Sequence, residues 1–115
     1  MSVTVYGIPN CTSVKKARSW LEARGIDYRF HDLRADGLEA DLLDRLANAA
    51  DWHSLLNKQS KTFRELPDKH AVVQDRDAAL AAMLQHPTLI KRPVLELDNR
   101  VLVGFNESEW ENALC

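Results

Sequence analysis

Residues 3–17 read Val3-Thr4-Val5-Tyr6-Gly7-Ile8-Pro9-Asn10-Cys11-Thr12-Ser13-Val14-Lys15-Lys16-Ala17, and this stretch decides the fold. Val3, Val5 and Tyr6 make a short β run. Gly7-Ile8-Pro9-Asn10 ends it, because glycine and proline punctuate regular structure. Asn10, Thr12 or Ser13 can cap a helix. Apolar or small residues then recur at Val14, Ala17 and Leu21, with Trp20 and Ala23 on the flanks, which is helical spacing. Gly25 is the expected C-terminal stop. Tyr28, Phe30 and Asp32 alternate with Arg29 and His31 as a second strand. Strand, helix and strand in immediate succession form a βαβ unit, whose handedness makes the two strands parallel.

Beyond that unit the pattern becomes helical. Leucines at 38, 42, 43 and 46 predict an amphipathic helix from Leu38 to Ala50. Shorter helices are expected at Trp52–Leu56 and at Thr62–Leu66, where Thr62 and Glu65 are spaced as a capping box. A further helix is expected over Asp75–Gln85, with Ala78, Leu80, Ala81 and Leu84 on or near its buried face. His86-Pro87 closes it, since the residue before a proline avoids helix. The last third returns to strand at Val94-Leu95 with Leu97, and at Val101-Leu102-Val103. Asp98-Asn99-Arg100 supplies turn chemistry between them. Asn106, Glu107 and Ser108 open a final helix through Leu114, where acidic residues suit the positive helix end. The order βαβ, helical insert, ββα is an α/β arrangement of the thioredoxin-like kind with a mixed four-stranded sheet. Residues 1–115 are read as one domain, with the helical insert at 35–90 inside it.

Composition narrows the function. The chain has 115 residues, 45% of them hydrophobic and 28% charged, as in an ordinary globular domain. A formal net charge of −2 argues against direct nucleic-acid binding, which calls for a basic excess. No apolar run reaches the ~20 residues of a membrane span. The first residues enter strand alternation without the features of a signal peptide, so the expected location is cytoplasmic. Two cysteines, Cys11 and Cys115, are too few for a disulfide framework. Cys11 has no Cys or His at ligand spacing, and His31, His53, His70 and His86 are scattered. No metal and no bound cofactor are expected.

Cys11 is the residue to which the chemistry is assigned. At a helix start, unpaired backbone N–H groups and the helix dipole stabilise a thiolate and lower its pKa. Lys15 and Lys16 add positive charge one turn along, and the Thr12 and Ser13 hydroxyls can donate to the sulfur or to a bound oxyanion. A buried structural cysteine is the alternative. Arg92-Pro93, immediately before a strand, is where a thioredoxin fold carries a cis-proline facing the helix-start cysteine, which would bring Arg92 toward Cys11. An ordinary proline opening an edge strand, with Arg92 in solvent, reads equally well from the residues alone. Lys58, inside Asn57-Lys58-Gln59-Ser60, belongs to a solvated loop unless the insert folds over the thiol. Gly104-Phe105-Asn106 reads as a turn into the last helix.

Taken together, Asn10-Cys11-Thr12-Ser13-Val14-Lys15-Lys16-Ala17, Arg92-Pro93 and Val103-Gly104-Phe105 make the chain resemble the ArsC/Spx family of arsenate reductase-like proteins over nearly its whole length. The YffB-type branch, described as glutathione-dependent thiol reductases, is the most similar. The resemblance implies an oxidoreductase with Cys11 as nucleophile and Thr12, Ser13 and Lys15 stabilising its thiolate. Lys15, Lys16, Lys58, Arg92 and Pro93 would form an anion- or glutathione-binding surround. Glutathione is the implied co-substrate and glutaredoxin a possible partner. The insert arginine of the reductases has Lys58 as its nearest counterpart, and the arginine after the last strand is replaced at Gly104. Neither residue reproduces the bidentate grip of a guanidinium on a tetrahedral oxyanion, so arsenate is expected to be a poor substrate. The Spx branch implies an alternative, a non-catalytic regulatory module binding RNA polymerase. The Cys-x-x-Cys switch often carried by that branch is absent here, since Cys11 is followed by Thr12-Ser13-Val14. Cys115 is read as a bystander.

Overall fold

The computed structural model describes residues 2–115, which divide into two compact units, residues 2–36 with 92–115, and residues 37–91. The first unit carries all four strands. β1 (Thr4–Gly7) pairs in parallel with β2 (Arg29–Asp32) and antiparallel with β3 (Val94–Glu96). β3 pairs antiparallel with β4 (Val101–Val103), giving the order β2-β1-β3-β4. This mixed sheet is the expected thioredoxin-like arrangement. Register places Val5 opposite Leu95 and Leu95 opposite Leu102, so these three stand on one face. Helices α1 (Thr12–Ala23) and α7 (Glu107–Leu114) contribute Ala17, Trp20, Leu21 and Trp110 to the same core.

Local chemistry sets the helix ends. α1 closes in a Schellman motif: Ile26 N–H bonds Leu21 O at 3.0 Å and Gly25 N–H bonds Glu22 O at 3.1 Å. Gly25 takes the left-handed φ of 66° that this motif needs. Ala23, expected on the buried flank, is exposed. Tyr28 falls just before β2; its hydroxyl accepts from Arg18 Nε at 3.0 Å and donates to Glu22 Oε2 at 2.6 Å. At the other end of the unit, Asn106 Oδ1 caps α7 by accepting from Glu109 N–H at 3.0 Å.

The 37–91 unit is helical: α2 (Ala40–Ala49), α3 (Trp52–Leu55), α4 (Lys61–Arg64), α5 (Lys69–Val73) and α6 (Arg76–Gln85), then a 3₁₀ turn at Pro87–Leu89. Three details differ from the sequence expectation. The cap of α4 is Ser60, whose Oγ accepts from Phe63 N–H at 3.1 Å, not Thr62, whose hydroxyl instead meets Thr88 Oγ1 at 2.6 Å. Helix α5, capped by Asp68, was not expected at all. In α6 the buried residues are Ala79, Leu80 and Met83, while Ala81 is exposed and Ala78 and Leu84 are half-buried. Arg76 ties α6 to α2 through Asp44 Oδ1 and Asn48 Oδ1, both at 2.8 Å. No helix among the described residues is long and apolar enough to cross a membrane.

Gly7 ends β1 against α1: a Cβ there would lie 2.6 Å from Val14 Cγ2, and Val14 is fully buried. Gly7→Ala should therefore lower stability by about 1–3 kcal/mol, the usual cost of overpacking. Urea unfolding monitored by tryptophan fluorescence checks this; an unchanged midpoint would mean that α1 yields freely.

Candidate active site around Cys11

After β1 the chain turns through Ile8-Pro9-Asn10, and Cys11 N–H bonds Ile8 O at 3.1 Å. Lys15 N–H then bonds Cys11 O at 3.0 Å, the first helical bond of α1. Cys11 is thus itself the N-cap residue, with φ −82° and ψ 130°. None of the three expected caps takes that place. Asn10 lies one residue too early, within the turn, and Thr12 and Ser13 are already helical.

The thiol side chain makes no capping bond of ordinary geometry, but the groups around it favour the anion. Burial alone would push the Cys11 thiol up. The backbone N–H groups of Val14 and Ser13 oppose that effect, followed by the Arg92 guanidinium, through a hydrogen bond and through its charge. The lowering contributions win, and the pKa lies below the ordinary thiol value. Arg92 precedes Pro93 across a cis peptide bond, and Gly104 N–H bonds Pro93 O at 2.8 Å. Arg92 Nε and Nη1 are buried and hold no hydrogen bond among the described residues.

Of the sequence-predicted residues, the first unit brings together Cys11, Ser13 and Arg92. Ser13 acts through its backbone N–H; no hydrogen bond from the Thr12 or Ser13 hydroxyl to the sulfur is present among the described residues. Val14 N–H is the contributor that residue types did not single out, because a backbone group has no letter of its own. Lys15 and Lys16 are exposed on α1 and are not among the principal groups acting on the thiol; they line a groove beside α7. Pro93 is buried. Lys58 belongs to the 37–91 unit, exposed in a turn where Asn57 Oδ1 accepts from Gln59 N–H at 3.1 Å. Cys115 is an exposed free thiol at the end of α7. Among the described residues no group of three or more His, Cys, Asp or Glu side chains is placed to hold a metal ion.

The profile of the ArsC family matches residues 6–113. An uncharacterized protein of Haemophilus influenzae is 42% identical over 113 residues, covering 98% of this chain and 99% of the relative. The global transcriptional regulator Spx of Lactiplantibacillus plantarum is 30% identical, covering 93% of this chain and 82% of the relative. Among solved structures, the YFFB protein superposes with a TM-score of 0.93 at 39% identity, covering 99% of this chain and 100% of the other. An arsenate reductase (ArsC) related protein of Brucella melitensis does so with 0.79 at 48% identity, covering 97% and 93%.

Arg92 should control the thiol more than either lysine. Measured by the pH dependence of iodoacetamide alkylation, Arg92→Met should move the Cys11 midpoint up, whereas Lys15→Met should move it less. Because the folded-state pKa is depressed, the associated stabilisation is present above the unfolded value of about 8.5 and is lost as pH falls through the folded one. A larger shift in Lys15→Met would show that the helix surface, not Arg92, sets the thiolate.

Proposed function

The chain belongs to the ArsC family, and from that premise we propose that it is a thiol-dependent reductase acting through Cys11, with glutathione as co-reductant. The observation that carries this reading is the Cys11 thiol at the mouth of α1, with its pKa lowered by the Val14 and Ser13 N–H groups and Arg92. Such a thiolate attacks a disulfide sulfur: the Cys11–sulfur bond forms as the old S–S bond breaks, and the displaced sulfur leaves as a thiolate. Arg92, half-buried beside the thiol, contributes the positive charge that suits an anionic group of the substrate, such as a glutathione carboxylate. Lys15 and Lys16 add further positive charge, and Pro93 holds Arg92 in place. A second glutathione or a glutaredoxin then resolves the mixed disulfide, since the only other cysteine, Cys115, sits at the far end of α7.

A second reading follows from the Spx relatives. A transcriptional regulator is 30% identical across 93% of this chain, which supports a reading as a non-catalytic module docking on RNA polymerase. Stoichiometric binding to purified RNA polymerase, unaffected by Cys11→Ser, would favour it over the enzyme.

Incubation with oxidised glutathione followed by intact-mass analysis should add one glutathionyl group, mapped to Cys11. Glutathione-dependent turnover of a disulfide substrate should vanish in Cys11→Ser and persist in Cys115→Ser. A Cys11–Cys115 disulfide, with turnover lost in Cys115→Ser, would replace the one-cysteine scheme.

Arsenate should be reduced poorly by the wild type even with glutathione and glutaredoxin supplied, because Gly104 offers no guanidinium to the oxyanion. Coupled turnover of arsenate measures this directly. Rapid turnover would mean that Arg92 and the α1 N–H groups suffice to hold the ion.

A further inference from the structure

Helices α1 and α7 border an open groove of about 1030 Å³ that begins at Thr12 and Ser13, the two residues that follow Cys11 in the chain, and ends at Arg24. Ser13, Lys16, Trp20 and Ala23 line it at intervals of three and four residues, so one face of α1 forms its wall. At about 1.5 Å per residue this face is about 18 Å long. An extended tripeptide spans only about 10 Å, so the groove outruns a molecule the size of glutathione.

Its charges and its floor describe the occupant. Exposed Lys15, Lys16 and Arg24 outnumber the acid on the opposite rim, Glu107. Trp20 and Phe105 form an aromatic floor, edge to face with centroids 6.0 Å apart, and the Arg24 guanidinium lies 4.0 Å from the Trp20 ring centre. Trp20 is 6% exposed, yet its Nε1 has no hydrogen-bond partner among the described residues. Trp110, beside it, donates to Gly104 O at 3.1 Å. Buried indole N–H groups normally find acceptors, so the Trp20 donor is one that the chain itself leaves unmatched.

We propose that this groove docks an acidic, extended segment of a partner protein and delivers that segment's disulfide sulfur to Cys11, an inference that rests on the reading of Cys11 as the attacking thiol. Carboxylates of the segment pair with Lys15, Lys16 and Arg24 along the wall of α1, and its apolar side chains meet the aromatic floor of Trp20 and Phe105. The Cys11 thiolate attacks the segment's sulfur. A Cys11–segment disulfide forms, the original S–S bond breaks, and its other sulfur leaves as a thiolate with the electron pair.

Short cysteine peptides, acidic, neutral and basic, activated as mixed disulfides with thionitrobenzoate, test this on the full chain. Release of thionitrobenzoate gives the second-order rate at Cys11, and dithiodipyridine serves as a small uncharged disulfide. Each exposed ion pair contributes a factor of about two to five, so the acidic peptide should react about tenfold faster than the neutral one at low ionic strength. The basic peptide should be slowest, and the differences should shrink as salt rises. Arg24→Gln should cut the acidic preference about threefold and Arg24→Glu further, both leaving the dithiodipyridine rate unchanged. Equal rates for the three peptides, with dithiodipyridine still reacting, would overturn the groove assignment alone. A Cys11 inert toward every disulfide would overturn the thiol reading and this inference with it. Competition by a single-stranded oligonucleotide as effective as by the acidic peptide would assign the groove to nucleic acid and overturn the proposal.

Discussion

The end of β1 and the first turn of α1 approach so closely that only a residue without a side chain fits between them. At Gly7 a Cβ would stand 2.6 Å from Val14 Cγ2, inside any normal carbon contact. Val14 cannot retreat, because it is wholly buried. This contact fixes where the helix begins relative to the strand, and therefore which residue occupies the N-cap. That residue is Cys11, so the sulfur lies where the first unpaired N–H groups of α1 emerge. The lowered pKa of the thiol is in this sense a packing consequence. Val14, whose side chain meets Gly7, also supplies the backbone N–H that leads the groups lowering the Cys11 pKa.

Elements whose side chains repeat with one clear period were legible from the residues. Val3 and Val5, then Val14, Ala17 and Leu21, then Leu95 and Leu102 each mark a single buried face, and the structure buries those residues. The inaccuracies fall where the period carries no information. In α6, Ala78 through Leu84 are apolar almost all round, so sequence spacing cannot say which stripe turns inward; packing selects Ala79, Leu80 and Met83. Helix α5 has five residues, too few to show a helical repeat, and its cap Asp68 follows Pro67 in what reads as a turn. Ser60 and Thr62 are both competent caps, and the choice between them was settled by Thr88, which takes the Thr62 hydroxyl.

The candidate site divides in the same way. Cys11 was visible because a lone cysteine at a helix start is unusual chemistry in an unusual place, whereas the residues alone left Arg92 open between the thiol and solvent and the family resemblance placed it. The groove along α1 was not visible. Trp20 reads from spacing as a flanking core residue, and it is one, at 6% exposure. What spacing cannot show is that its indole N–H is left without an acceptor while a neighbouring indole has one. Lys15 and Lys16 likewise read as helpers of the thiol, since they follow it in the chain. Their exposure along the groove points to recognition of whatever reaches the sulfur.

Gly104 joins these two halves. Its N–H bonds Pro93 O, next to Arg92, and its carbonyl accepts the Trp110 indole that anchors α7 beneath the groove. It does so at φ 82°, where a side chain costs about 1–2 kcal/mol. An arginine at this position would add a guanidinium for an oxyanion only by straining the backbone that holds both Pro93 and Trp110. Oxyanion grip and this particular turn are therefore in conflict. A chain that keeps glycine here retains the turn that holds Pro93 and Trp110 while giving up a guanidinium at that position.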